Sequence, residues 1–233
     1  MKLLAIDSSG LVASVAIVSE EAMLAEYTVN FKKTHSQTLL PMLDEITKMV
    51  ELDLAEVDAI VVAAGPGSFT GLRIGSATAK GLGLALKKPI IPIPTLDGLA
   101  YNLYGTNKLI CPMMDARRNQ VYTGLYEFEQ NDMKILLPQT AIAVEEIVER
   151  INHMEREVIF LGDGSTAYET ILKENVKVPL SFAPLHLNRQ RAGALGALGI
   201  KYYNNSWMET ATEHEPVYLR LSQAERERAE RLS

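Results

Sequence analysis

The stretch AAGPGSFTGLRIGSATAKGLGLAL, residues 63–86, places a glycine turn between an apolar run and a helix-like segment. Backbone N–H groups at a helix N-terminus receive phosphates in this layout. The spacing excludes two specific versions of that chemistry. A Walker loop ends in Gly-Lys-Ser/Thr with four residues after its first glycine; Gly67 to Gly71 leaves three, and Leu72-Arg73 follows. A dinucleotide fingerprint needs a further glycine after Gly65-Pro66-Gly67, where Ser68, Phe69 and Thr70 stand. Generic anion binding remains, with Gly67 permitting close backbone approach. The plainer alternative is that these glycines only turn the chain. Arg73, Arg117 and Arg118 are the candidate cations for a nucleotide or RNA, against the simpler expectation that they pair with local acids. The four histidines, His35, His153, His186 and His214, fall in separate segments without ligand spacing, so no metal site is expected. The single cysteine, Cys111, lies in the apolar run LICPMMD and is expected to be a buried thiol.

Several elements must carry this loop. KLLAIDS, ASVAIVS and MLAEYTV read as a strand meander, and HSQTLLPMLDEITKMV as an amphipathic helix with Leu39, Leu43, Ile46 and Val50 at helical spacing. DAIVVAAG is a continuous apolar run, as in a strand covered on both faces. Ser68 can cap the helix that ends near Leu86, and KPIIPIPT follows as a strand. Within that helix Gly75, Ala79 and Gly83 recur every four residues, a flat side that needs a packing reason. The internal sheet is favoured for it, leaving Leu72, Leu82 and Leu86 for a neighbour.

The order of elements then starts again: KLICPMMDA, QVYTGLYEF and MKILLPQ as strands, AVEEIVERINHME as a helix, EVIFLGDG as a strand with a glycine turn. That repetition predicts an α/β chain built of duplicated βββαβα subdomains. The first is placed at residues 1–107, with a helix at 190–205 packing back on it; a reduced second lies at 108–189, and a charged tail at 215–233. The net charge of −6 argues against a stand-alone nucleic-acid binder. No apolar run is long enough for a membrane span, and Asp7 interrupts the signal-like start, so a cytoplasmic protein is expected.

LLAIDSS, THSQTLLPMLDEI, AAGPGSFTGLRIG, CPMMDARRNQVYTGLY and PVYLR occur in that order along nearly the whole chain. Together they resemble the YeaZ (TsaB) family of bacterial tRNA threonylcarbamoyladenosine biosynthesis proteins. The resemblance implies the actin-like ATPase, sugar kinase and Hsp70 fold. It also implies a non-catalytic role beside a TsaD-type transferase and a TsaE-type ATPase, with tRNA reached through the complex. In the catalytic paralogue a His-x-x-x-His metal motif follows the strand after the glycine-loop helix; the matching stretch PTLDGLA has Thr95 and Leu99, which cannot hold that ion. In relatives of this fold an acid at the end of the first strand positions a hydrated magnesium. Asp7, with Ser8, Gly67 and Arg73, is therefore the cofactor candidate set, the expectation being no intrinsic cofactor or an adenine nucleotide shared at the complex interface. No catalytic residue is assigned. The partner face is placed on the two helices of the first subdomain, with Leu40, Met42, Met49, Leu72 and Leu82 as candidates, and the same face is expected to pair two copies. The competing readings are a small-molecule kinase or ATPase of the same fold, and a homodimeric regulatory module.

Overall fold

The computed structural model describes residues 1–31 and 35–220. The first half begins with β1 (Lys2–Asp7), β2 (Ala13–Ser19) and β3 (Met23–Val29), an antiparallel meander. Helix α1 (His35–Met49) leads to β4 (Ala59–Gly65), which runs parallel to β1. Helix α2 (Phe69–Leu86) then returns to β5 (Ile90–Pro94), parallel to β4. The sheet order is β3-β2-β1-β4-β5.

After the short helix α3 (Thr95–Ala100) the same order recurs. Strands β6 (Leu109–Asp115), β7 (Gln120–Glu129) and β8 (Asp132–Ala143) form a meander. Helix α4 (Val144–Met154) precedes β9 (Val158–Leu161), and the pair α5 (Asp163–Ala167) and α6 (Glu169–Asn175) precedes β10 (Leu180–Phe182). This sheet is ordered β10-β9-β6-β7-β8, element for element the arrangement of the first. Where the first half has one 18-residue helix after its glycine turn, the second has two of 5 and 7 residues.

Alternation along β1 explains the layers. Leu4 and Ile6 face one way, into a core with Leu39, Leu43 and Ile46 of α1 and Ala79 of α2. Leu3 and Ala5 face the other way and are covered by α7 (Ala192–Asn204), through Leu195 and Leu198. α7 carries Gly196 and Gly199 where a Cβ would stand 2.9 Å from Val18 and 2.7 Å from Val61, so the helix lies close on the sheet. In the second sheet Cys111 and Phe160 pack under α4 and α6, while Ile110 and Tyr126 meet Leu96 and Leu99 of α3, which forms the joint between the halves. Burial pushes the Cys111 thiol up to about 12, so it has little thiolate character.

The chain does not leave the body at residue 215. Glu209 pairs by two backbone hydrogen bonds with Ile90, covering the free edge of β5, and the Val217 N–H donates to the Ala64 carbonyl. Lys80 of α2 donates to the carbonyls of Thr212 and His214. Residues 209–220 thus form a strap along α2, a correction to the expectation of a separate charged tail from 215. The rest of that tail, residues 221–233, lies outside the described residues.

Candidate functional site: the cleft between the halves and the outward face of the first helices

A cleft of about 740 Å³ lies between the two halves, where the β1–β2 turn, the N-terminus of α2 and the β6–β7 turn converge. Ser9, Gly10 and Thr70 line one wall; Asp115, Arg117 and Asp163 line the other. The first turn, after β1, carries Asp7 and Ser8 and meets the glycine loop at Gly67.

That turn is engaged internally. Asp7 is buried, and its Oδ1 accepts from the Ser9 N–H at 2.9 Å and the Ser9 hydroxyl at 2.6 Å. Burial raises its carboxyl to about 6, with the two Ser9 hydrogen bonds opposing the rise. The Ser9 carbonyl accepts from the Ser68 N–H at 2.7 Å, and the Ser8 hydroxyl donates to the Gly71 carbonyl at 2.8 Å. The glycines serve this contact. A Cβ at Gly67 would stand 2.3 Å from the Ser9 carbonyl oxygen, at Gly71 2.1 Å from that of Ser8, and at Gly75 2.4 Å from the Ser8 hydroxyl. The glycine loop therefore lets α2 lie on the β1–β2 turn. Of the candidate set Asp7, Ser8, Gly67 and Arg73, only Gly67 lines the cleft.

The second turn is the more open one. Arg117, Arg118 and Asn119 all have positive φ, near 60°, a conformation that costs a non-glycine residue free energy. Asp115 is exposed at the end of β6 and accepts from the Arg117 N–H at 2.7 Å. Burial raises the carboxyl of Asp163, whose Oδ1 accepts from the Asp115 N–H at 3.3 Å. Arg220, at the end of the strap, donates to the Ala116 carbonyl and so joins the two sides of the cleft.

The partner candidates divide by burial. Leu40 and Met49 of α1 are 57% and 76% exposed. Met42 and Leu72, expected on the outward face, are 4% and 1% exposed and belong to the core, because both lie on the helix sides turned to the sheet. Leu82 is half-buried against the same core. The outward strip of α2 is instead Thr70, Arg73, Ala77, Gly81 and Leu84, of which Leu84 is 60% exposed. A Cβ at Gly81 would meet nothing within 4 Å, so no contact inside this chain requires that glycine. Gly81→Ala is expected to stabilise the isolated protein by about 1 kcal/mol, read as a raised urea midpoint, since glycine is that much worse than alanine in a helix interior.

At the position of the paralogue's metal motif, Thr95 accepts through its hydroxyl from the Gly65 N–H, and Leu99 is packed in the joint core. Between them sits an acid that nothing in the sequence marks out. Asp97 is buried, accepts from the Tyr126 hydroxyl at 2.8 Å and from Tyr202, and burial raises its carboxyl to about 6. Among the described residues no group of three or more His, Cys, Asp or Glu side chains is placed to hold a metal ion.

Two sheets of identical order around a cleft define the actin-like ATPase and sugar kinase fold. Component A of the (R)-2-hydroxyglutaryl-CoA dehydratase of Acidaminococcus fermentans has it too, with a TM-score of 0.50 at 10% identity over 88% of this chain and 99% of that one. More specific likenesses go further. The family model described as TsaD, tRNA N6-adenosine threonylcarbamoyltransferase, matches residues 23–228. The Bacillus subtilis tRNA threonylcarbamoyladenosine biosynthesis protein TsaB is 33% identical over 97% of this chain and 96% of its own length. YeaZ from Pseudomonas aeruginosa superposes with a TM-score of 0.81 at 27% identity, over 94% of this chain and 99% of that one. The chain belongs to the TsaB/YeaZ family of tRNA threonylcarbamoyladenosine biosynthesis proteins.

Proposed function

We propose that this chain is a non-catalytic subunit for N6-threonylcarbamoylation of the adenine next to the anticodon. It docks on a TsaD-type transferase through α1 and α2, in an assembly with a TsaE-type ATPase in the cytoplasm. Family membership supports the reaction. The observation that carries the role is the combination of an internally engaged first turn with an outward helix face. Asp7 and the glycine loop satisfy one another, whereas Leu40, Met49 and Leu84 are exposed beside the bare Gly81. A helix glycine without an internal neighbour permits close approach by another helix. Thr95 and Leu99 support a chain that leaves metal chemistry to its partner.

Docking then favours the active arrangement of the transferase, a shift of population rather than a donated catalytic group. An adenine nucleotide, where one is bound, is shared at the joint with the partner, and tRNA is reached through the complex. Because the partner has the same fold, the same face pairs two copies of this chain, and the homodimer competes with the heterodimer.

The test is a drop-out assay with the two partners, threonine, bicarbonate, ATP and unmodified tRNA. Omission of this chain is expected to abolish the modified adenosine, and the chain alone to yield none. Leu40→Glu is expected to weaken transferase binding about tenfold or more by placing a charge in a desolvated contact. Modification that proceeds without the chain rejects the subunit role; ATP turnover by the chain alone favours the kinase reading instead.

A further inference from the structure

Arg73 stands at the start of the outward strip of α2 on a preformed support. Its guanidinium carbon lies 4.0 Å from the centroid of the Phe69 ring. Its Nε donates to the Tyr218 hydroxyl at 3.3 Å, and the Phe69 and Tyr218 rings are 4.8 Å apart. Tyr218 is in turn fixed by the strap, whose Val217 N–H is bonded to Ala64 at 2.7 Å. Arg150, Arg156 and Arg191 each pair with a glutamate, whereas no carboxylate among the described residues pairs with Arg73. The side chain does not line the cleft.

We propose that Arg73, held by Phe69 and Tyr218, is the anchoring cation of the docking face and receives a carboxylate from the partner protein. The proposal rests on the docking reading above and names the chemistry of the partner's side. With Nε engaged by Tyr218, the two terminal nitrogens are left to face a carboxylate, the geometry in which a guanidinium binds an acid through paired hydrogen bonds. Restraint by two rings before binding lowers the ordering cost of contact. The strap thereby becomes part of the interface, because it supplies the ring that orients the cation.

The surroundings favour a protein acid over an RNA phosphate. Ala77 and Gly81 continue the strip one and two turns along, exposed Leu40 and Leu84 are apolar, and the neighbouring helix α1 exposes Asp44, Glu45 and Lys48, with Lys48 paired to Asp44 at 2.6 Å. A single arginine beside apolar residues, on a chain with net charge −6 whose nearby Lys48 is already paired with Asp44, is poorly suited to a phosphate backbone.

The experiment measures binding of the full chain and of Arg73→Ala, Arg73→Lys, Arg73→Glu, Tyr218→Phe and Leu40→Glu to the purified TsaD-type transferase, at low and high salt. Arg73→Ala is expected to weaken binding about tenfold or more, Arg73→Glu further, with Arg73→Lys restoring only part. Tyr218→Phe is expected to give a smaller loss, and salt to narrow the gap between parent and Arg73→Ala. If Leu40→Glu loses binding while Arg73→Glu binds like the parent, docking stands and the anchor is rejected. If the parent does not bind at all, both readings fall. The anchor is also rejected if Arg73→Ala changes only retention of unmodified tRNA or only self-association. A fall in melting temperature that accounts for the affinity loss rejects it too, because the support would then serve only to hold the strap on α2.

Discussion

Gly71→Ala is expected to lower the stability of the isolated protein by about 3 kcal/mol, or roughly 6–12 °C in melting temperature for a chain of this length. In a helix the exchange ordinarily gains about 1 kcal/mol. Here the new methyl group would stand 2.1 Å from the Ser8 carbonyl oxygen, a backbone atom with no side-chain freedom to yield. Either α2 moves off the β1–β2 turn, breaking the Ser8 to Gly71 and Ser68 to Ser9 hydrogen bonds, or the turn itself shifts and opens Asp7 to water. Gly81→Ala in the same helix changes stability in the opposite direction, so the pair separates packing from propensity without a change of chemistry. Thermal melts of both variants decide the matter. A Gly71→Ala protein as stable as its parent rejects the packing role of the glycine loop and returns it to ligand binding.

Asp97→Asn is expected to produce a pH-dependent gain in stability. The Asp97 carboxyl rises from its ordinary 3.8 to about 6 in the folded protein. A group raised on folding holds its proton more tightly there. Its contribution to stability is present in full below about 3.8 and is lost as pH climbs through about 6. At roughly 1.4 kcal/mol per pKa unit, the parent forfeits about 2–3 kcal/mol from this one group by neutral pH. Asparagine keeps an oxygen for the Tyr126 and Tyr202 hydroxyls and removes the charge. The variant is therefore expected to be the more stable protein above pH 6, and the two to converge in acid. Asp7 carries a rise of the same sign, so the single variant reduces the slope and Asp7→Asn with Asp97→Asn reduces it further. Urea titrations from acid to neutral pH provide the readout. A stability difference that is constant with pH means that Asp97 does not titrate in this range.

Much of the fold was legible because apolar periodicity is strong where the chain is buried on two faces. AIVVAAG read as a covered strand, and the recurrence of three strands, helix and strand matches two sheets of one order. Face assignment was harder. In α1 the buried set is Leu39, Met42, Leu43 and Ile46, and Met42 completes the spacing of three and four that marks the inward face. In α2 small residues lie on every side, so periodicity carries little information about Leu72; only the hydrogen-bonded turn beneath the helix settles which side is inward. The strap had little hydropathy signal, because Glu209, Thr212, His214 and Val217 attach through backbone groups, and its side-chain attachments, Ala211 in the core and Tyr218 on Phe69, form no periodic pattern. Asp97 is not legible in the sequence because an acid gives no sign there of which phenols will surround it. The resemblance found the family; the engaged state of the first turn required geometry.

The back layer of the first sheet has a consequence for the order of synthesis. Leu3, Ala5, Val61, Ile91 and Ile93 are covered by α7, which is encoded after the entire second half. The second sheet, by contrast, draws its strands and both covering helices from one continuous stretch ending at Phe182. During translation the N-terminal sheet therefore emerges first yet keeps one apolar face bare until residue 204 has left the ribosome. The later-made half can complete its α4 and α6 side earlier, and a nascent chain stalled before Ala192 presents a sticky surface suited to chaperone capture.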